Sequence, residues 1–87
     1  MKNSLLPLLL ALTLARAVLK EMQPRITKFA VEFKTSEGGA WQTAFTGGKA
    51  GKAFGATFAP VTARWVRLHI LEATFAPTLW EFGLFKD

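Results

Sequence analysis

The sequence lacks the residues and motifs on which common enzymes depend. It contains no cysteine, so a disulfide framework is excluded, and it has one histidine, His69. The motif HExxH, a Walker loop, GxSxG and a GxGxxG within a βαβ unit are all absent. The spacing places no pair of carboxylates for glycoside hydrolysis, because they are scattered over different predicted strands and turns: Glu32, Glu37, Glu72 and Glu81. We therefore predict that the chain is not an enzyme.

The chain also lacks a concentrated basic segment. Its 87 residues carry a formal net charge of +5, but no run of four basic residues occurs. No basic face assembles at helical spacing either. Proteins that bind nucleic acid usually present a compact basic footprint, so the sequence indicates no nucleic-acid partner.

No apolar run is long enough for a transmembrane helix. The run Leu5–Ala15 has 11 residues, against the ~20 that a membrane span needs. Lys2 precedes this run and Ala15-Arg16-Ala17 follows it, which is the layout of a secretory signal peptide. We predict a hydrophobic helical signal peptide at residues 1–17, a mature domain at 18–87 and a secreted or periplasmic location. A segment upstream of a truncated reading frame and an amphipathic surface helix are the alternatives.

What the sequence has in abundance is alternation of period two. From Gln23 onward no segment keeps a helical period, and Gly-rich or Pro-containing turns separate short alternating runs. One domain is the most that 87 residues suggest. The pattern predicts an antiparallel all-β sandwich, with strands near residues 26–35, 41–46, 52–60, 63–72 and 79–85.

The predicted strand 63–72 has two distinct faces. Val66, Leu68 and Ile70 form its apolar face. Trp65, Arg67 and His69 share the other face: a planar ring beside Arg or His donors suits the apolar side of a sugar and its hydroxyls. The same three residues equally suit a structural cation–π arrangement on an exposed sheet. Both interpretations stay open on the sequence alone.

Most aromatic residues fall at inward-facing positions, where core packing accounts for them. Phe75 is different, because it lies in the predicted loop 73–77, and loops commonly carry ligand contacts.

Four marks in order resemble one known family. They are R-I-x-K-F-x-V-E at Arg25–Glu32, Trp41 after an acidic-Gly turn, F-x-P-V-T-A-R-x-V-R-L at Phe58–Leu68 and A-P-T-L-W-E-F-G-L-F at Ala76–Phe85. Together these marks resemble the C-terminal half of the discoidin, or factor V/VIII type C, domain. The bacterial versions attached to α-L-fucosidases are the most similar.

The resemblance implies a galactose-binding-like jelly roll that is non-catalytic and binds sugars at loops on one end. It implies a glycan partner of the galactose or fucose type, with Phe75 as a stacking platform. It matches Arg64 and Arg67 to positions that are usually structural, so Trp65, Arg67 and His69, which the strand pattern suggests, are the weaker candidates. It also matches Glu81 to a family glutamate that binds a structural Ca²⁺. A lone carboxylate cannot supply the 6–8 oxygens that Ca²⁺ takes, so we expect no cofactor here.

The first half of the family domain is missing, so the resemblance implies an incomplete sandwich. The signal-like segment stands where the family has a strand. The incomplete form leaves other functions open: a structural module that pairs its strand edges with a second copy or a partner, or a non-functional truncated gene product. Binding of anionic phospholipid through Phe75, Lys49 and Lys52 is a third, less favoured alternative.

Overall fold

The computed structural model describes residues 3–86, with side chains from residue 11 onward except that of Trp80. It is all-β, as predicted, and the described residues contain no helix. The five strands form one antiparallel sheet in the order β3-β2-β4-β1-β5. Their bounds are β1 Asn3–Glu21, β2 Ile26–Lys34, β3 Gln42–Gly47, β4 Ala53–Ala73 and β5 Leu79–Phe85.

The sheet folds over on itself and so forms the two layers of a sandwich. At about 3.3 Å per residue, the 21 residues of a straight β4 would extend about 69 Å. The longest dimension of the fold is only 33 Å, so β4 must bend. Its first part, residues 53–57, pairs with the end of β1, and its last part, residues 65–69, pairs with the beginning of β1. Both long strands therefore pass from one layer to the other.

The bends coincide with interruptions of the β1–β4 register. One interruption lies between Pro7 and Leu12 and another between Leu14 and Arg16. Opposite the second, β4 carries Pro60, which has no backbone N–H to give to a ladder and is tolerated in sheets at bulges and edges. The sequence prediction of two strands, 52–60 and 63–72, is therefore wrong in one respect. Pro60 bends a continuous strand and does not end it.

The core lies between the two layers and includes the apolar face that the sequence predicted for the strand 63–72, now part of β4. Val66, Leu68 and Ile70 are at most 1% exposed. Phe29 of β2 is fully buried, and its ring meets that of Phe54 at the start of β4 edge to face, with centroids 5.5 Å apart. Because β2 and the start of β4 belong to different layers, this contact joins the layers through aromatic packing.

The predicted hydrophobic helix before the sandwich is wrong for the residues that the structure describes. Asn3–Glu21 is a strand that lies between β4 and β5. A short apolar run in a buried strand cannot be told from a short apolar helix by its hydropathy, which is why the sequence pattern suggested a helix here. No helix among residues 3–86 is long and apolar enough to cross a membrane. Cleavage of residues 1–17 stays a prediction, and Lys2 lies outside the described residues.

Candidate functional site

Three connecting segments meet at one end of the sandwich, which we call the loop end: residues 22–25, 48–52 and 74–78. Backbone hydrogen bonds tie these segments together. Met22 N–H donates to the Thr78 carbonyl at 3.1 Å, and Thr74 N–H donates to the Arg25 carbonyl at 2.9 Å. Glu21 N–H donates to the Lys52 carbonyl at 3.2 Å. The loop end is therefore a connected surface and not three independent loops.

A buried carboxylate supports the first of these segments. Glu21 is 1% exposed, and its Oε1 accepts hydrogen bonds from the backbone N–H groups of Arg25 at 3.2 Å and Ile26 at 3.1 Å. Oε2 also accepts from Arg25 N–H, at 3.3 Å. These bonds satisfy two donors at the start of β2 and hold the turn 22–25 in place.

A cavity of about 330 Å³ opens at the loop end. It is lined by Pro24, Ile26, Thr27, Lys49, Gly51 and Thr74. The wall at Gly51 has a φ of +73°, in the left-handed region that favours glycine. The cavity thus combines apolar surface with two threonines and one lysine, the mixture typical of small-molecule sites.

Phe75 projects next to this cavity and is 74% exposed. The guanidinium carbon of Arg25 lies 5.6 Å from its ring centroid, and Arg25 Nη1 donates to the Ala76 carbonyl at 3.0 Å. Met22 is also exposed at this end, by 66%. The loop end therefore presents an aromatic ring that Arg25 contacts and that is otherwise exposed to solvent.

Trp65, Arg67 and His69 lie elsewhere, on the outer surface of the layer formed by β2, β3 and the end of β4. Arg67 Nε donates to Glu32 Oε1 at 2.6 Å. Nδ1 of His69 lies 3.3 Å from the same oxygen, without hydrogen-bond geometry. We call this group the outer-face cluster: Glu32, Lys34, Trp41, Trp65, Arg67 and His69.

Cations cover the tryptophan rings of the outer-face cluster. Arg67 lies 4.5 Å from the Trp41 centroid, and Lys34 lies 4.8 Å from Trp41 and 5.6 Å from Trp65. Arg64 approaches Trp65 at 5.0 Å. Because the rings and donors are engaged with one another, this arrangement favours the structural interpretation. Sugar binding by Trp65, Arg67 and His69 stays a prediction.

Glu81 lies on the edge strand β5 and faces Lys20, whose Nζ is 3.2 Å from Glu81 Oε1. Within residues 3–86, no group of three His, Cys, Asp or Glu side chains converges in a way that would hold a metal ion. A single carboxylate beside an ammonium group does not fit the oxygen-rich shell that Ca²⁺ requires.

The sequence singles out Phe75, whose role in binding stays a prediction, but it does not single out the residues around it. In the sequence Arg25 is only the first residue of a strand motif, and no pattern marks Met22 or Glu21 as part of a site. Lys49 lines the cavity, although it entered only the phospholipid alternative. The glycines and prolines that mark the loops are visible in the sequence. The bend in β4 that brings the last loop back to the other two is not.

The fold and the loop end define a class: a single β-sandwich module with its exposed aromatic residue and cavity at one end. No protein-family model and no curated protein sequence matches the chain. Solved structures do match. A proposed α-L-fucosidase from Bacteroides thetaiotaomicron superposes with a TM-score of 0.90 and 26% identity, over 99% of this chain and 20% of the fucosidase chain.

Other matches show the same fold at lower identity. A GH29 fucosidase from Ruminococcus gnavus with bound fucose gives a TM-score of 0.82 at 20% identity, over 98% of this chain and 18% of the other. Chitosan-binding module 2 of a Paenibacillus chitosanase/glucanase, with bound chitotriose, gives 0.84 at 21% identity, over 95% and 68%.

The chain spans about a fifth of the length of the fucosidases that it matches, 20% in the Bacteroides protein. The matched regions are the C-terminal domain of α-L-fucosidases and the chitosan-binding modules. The predicted resemblance to a galactose-binding-like sandwich is thereby confirmed. The narrower assignment to discoidin domains stays a prediction.

Proposed function

We propose that the chain is a non-catalytic carbohydrate-binding module of the discoidin type, ancillary to an α-L-fucosidase-like hydrolase. The observation that carries this proposal is Phe75, which stands 74% exposed beside a cavity of about 330 Å³ at the loop end. Phe75 and the exposed Met22 form an apolar surface beside polar groups, and an aromatic ring with a few placed polar groups is the usual composition of a small-molecule site.

In the proposed mechanism the Phe75 ring stacks against the apolar face of one sugar residue. The hydroxyl groups of Thr74 and Thr27, at the cavity wall, and the ammonium of Lys49 supply the polar contacts. Few contacts hold the ligand, so the affinity is weak. A galactose- or fucose-type sugar is the ligand class that the resemblance favours.

Glycan-array binding by the full chain tests this proposal. Phe75→Ala removes the stacking platform, and we expect it to abolish the signal. Phe85→Ala is the matched control: this ring is also exposed, by 38%, and also has an arginine near it, with Arg16 4.1 Å from its centroid. Unchanged binding by Phe75→Ala would remove Phe75 from the site. Equal loss in both variants would show that the loss comes from folding.

The outer-face cluster is tested in the same assay. We expect Trp65→Ala to lower the stability of the fold but to leave the glycan signal of the folded fraction unchanged, because cations already cover the ring. Selective loss of glycan binding in Trp65→Ala would instead place a sugar site on that face.

Self-association through strand edges is the second candidate function. Among the described residues β3 and β5 each pair on one side only. Leu12, 47% exposed, and Phe85 add apolar surface near the β5 edge. A folded monomer in sedimentation would refute this alternative.

The secreted or periplasmic location depends on the predicted cleavage, and the intact mass of the exported chain tests it.

A further inference from the structure

We propose that the loop end prefers sugars that carry a negative charge, such as uronic acids and sulfated sugars, over neutral and cationic ones. The inference rests on the proposed function and adds the chemical class of its ligand. The charge distribution around the cavity carries it.

The cations of the loop end come from different parts of the sequence. Arg25 lies in the first segment, and Lys49 and Lys52 lie in the second. The three segments, 22–25, 48–52 and 74–78, contain no aspartate or glutamate. Three positively charged residues therefore belong to the segments that meet at this end, although the sequence shows no basic run. This clustering exists only because the sheet brings the segments together.

Two of the acidic side chains near the loop end, those of Glu21 and Glu81, have partners of their own. The Glu21 carboxylate is buried and accepts backbone hydrogen bonds from Arg25 and Ile26. Glu81 pairs with Lys20 on β5, and Glu72 lies opposite Lys28 in the β2–β4 register. Among the described residues no carboxylate belongs to the three segments or lines the cavity, whereas the exposed Glu72 lies next to the third segment and opposite Lys28.

Lys49 is the cation best placed to meet a ligand. It lines the cavity and is exposed, and within the described part of the chain it has no acidic partner. Arg25 is held by the Ala76 carbonyl and the Phe75 ring, so its charge is fixed beside the proposed stacking platform. A sugar that stacks on Phe75 with a carboxylate or sulfate over the cavity meets both cations. Charge-assisted hydrogen bonds to such a group are stronger than those to a hydroxyl.

The concave shape favours a sugar acid over an anionic membrane. A bilayer surface is engaged by protruding apolar residues, and here Met22 and Phe75 do protrude. The cavity between the segments, however, contains two threonines and Lys49 and would be left empty against a flat surface. A charged monosaccharide unit matches the size and polarity of this cavity.

The test compares matched pairs of sugars by calorimetric titration of the full chain. The pairs are galacturonic acid and galactose oligomers, glucuronic acid and glucose oligomers, and sulfated and unsulfated N-acetylglucosamine oligomers; chitotriose is the cationic arm. We expect the acidic member to bind about tenfold more tightly in at least one pair, from one charge-assisted contact. The preferred pair shows whether the anion is a carboxylate or a sulfate. The preference should shrink as salt is raised.

Lys49→Gln identifies the group responsible. It should reduce the affinity for the acidic sugar about tenfold more than the affinity for the neutral partner, because the glutamine amide can still donate to a hydroxyl but carries no charge. Lys86→Gln is the matched control, because Lys86 is an exposed lysine that follows β5 at the opposite end.

Each other outcome overturns a specific statement. Equal or tighter binding of neutral sugars or chitotriose refutes the preference for anions and leaves carbohydrate binding intact. Absence of binding to every sugar, by a chain that melts cooperatively, refutes the proposed function itself. Co-sedimentation with vesicles of phosphatidylserine and phosphatidylcholine, without binding to any sugar acid, replaces the glycan ligand with a membrane surface.

Discussion

Glu21 links the core of the sandwich to its loop end, and replacing it is the sharpest test of the structure. A buried carboxylate is costly unless hydrogen bonds compensate for its lost hydration. Here the compensation comes from two backbone donors, Arg25 N–H and Ile26 N–H, at 3.1–3.3 Å. Glu21→Ala leaves both donors without their acceptor, and it also leaves a void next to the first loop-end segment.

The magnitude follows from those two donors. Hydrogen bonds to a charged group contribute about 1.5–3 kcal/mol each, so the gross loss is about 3–6 kcal/mol. Removing the carboxylate also removes its desolvation cost, which offsets part of this loss. We expect Glu21→Ala to lower the free energy of unfolding by about 3 kcal/mol. An 87-residue domain has about 4–13 kcal/mol in total, so this change is severe.

Urea denaturation of the full chain, followed by tryptophan fluorescence, measures the effect. Glu21→Gln keeps one oxygen acceptor of the same shape without the charge, and we expect a loss of about 1–2 kcal/mol. Glu37→Ala is the control, because Glu37 is exposed in a turn and should change stability by less than about 0.5 kcal/mol. If Glu21→Ala behaves like Glu37→Ala, the carboxylate does not organise the loop end. If Glu21→Ala fails to fold, the comparison of Glu21→Gln with Glu37→Ala still tests the role of the carboxylate, because only the former should lower the free energy of unfolding by more than about 0.5 kcal/mol.

Two further predictions concern packing and the first strand. Gly47→Ala would place a Cβ 2.6 Å from Cζ of Phe29, a fully buried ring, and we expect the free energy of unfolding to fall by about 1–3 kcal/mol. Gly55→Ala is the control, because a Cβ there meets nothing within 4 Å. Equal urea midpoints for the two variants would contradict this prediction. The chain 18–87 lacks most of β1, so we expect no cooperative urea transition, whereas a transition as sharp as that of the full chain would refute the strand at residues 3–17.

The fold class was predictable because alternation of period two survives in the core strands. Val66, Leu68 and Ile70 are buried as predicted, and Arg67 lies on the opposite face. Alternation states which side chains share a face, but it contains no information about where a strand bends. The single strand β4 was therefore predicted as two, and Pro60 was interpreted as a stop.

The candidate site was predictable only in its most exposed member. Phe75 stands out because it is the one large aromatic residue in a short loop of small residues and proline. Arg25 and Lys49 are far from Phe75 along the sequence, and strand register and bending bring their segments to the same end. Local patterns cannot anticipate a cluster that depends on contacts between distant segments.

The N-terminal segment shows why hydropathy alone misleads, and one residue separates its two interpretations. Buried residues Leu14, Ala17 and Leu19 give β1 an apolar composition that a signal peptide shares. Arg16 is unusual in a signal peptide, because it is the second residue before the predicted cleavage after Ala17. In the strand, Arg16 has a defined place: it pairs with Phe85 in the β5 register, and its guanidinium carbon lies 4.1 Å from the centroid of that ring. The residue that is anomalous in a targeting sequence is thus accounted for by the sheet, which favours the strand.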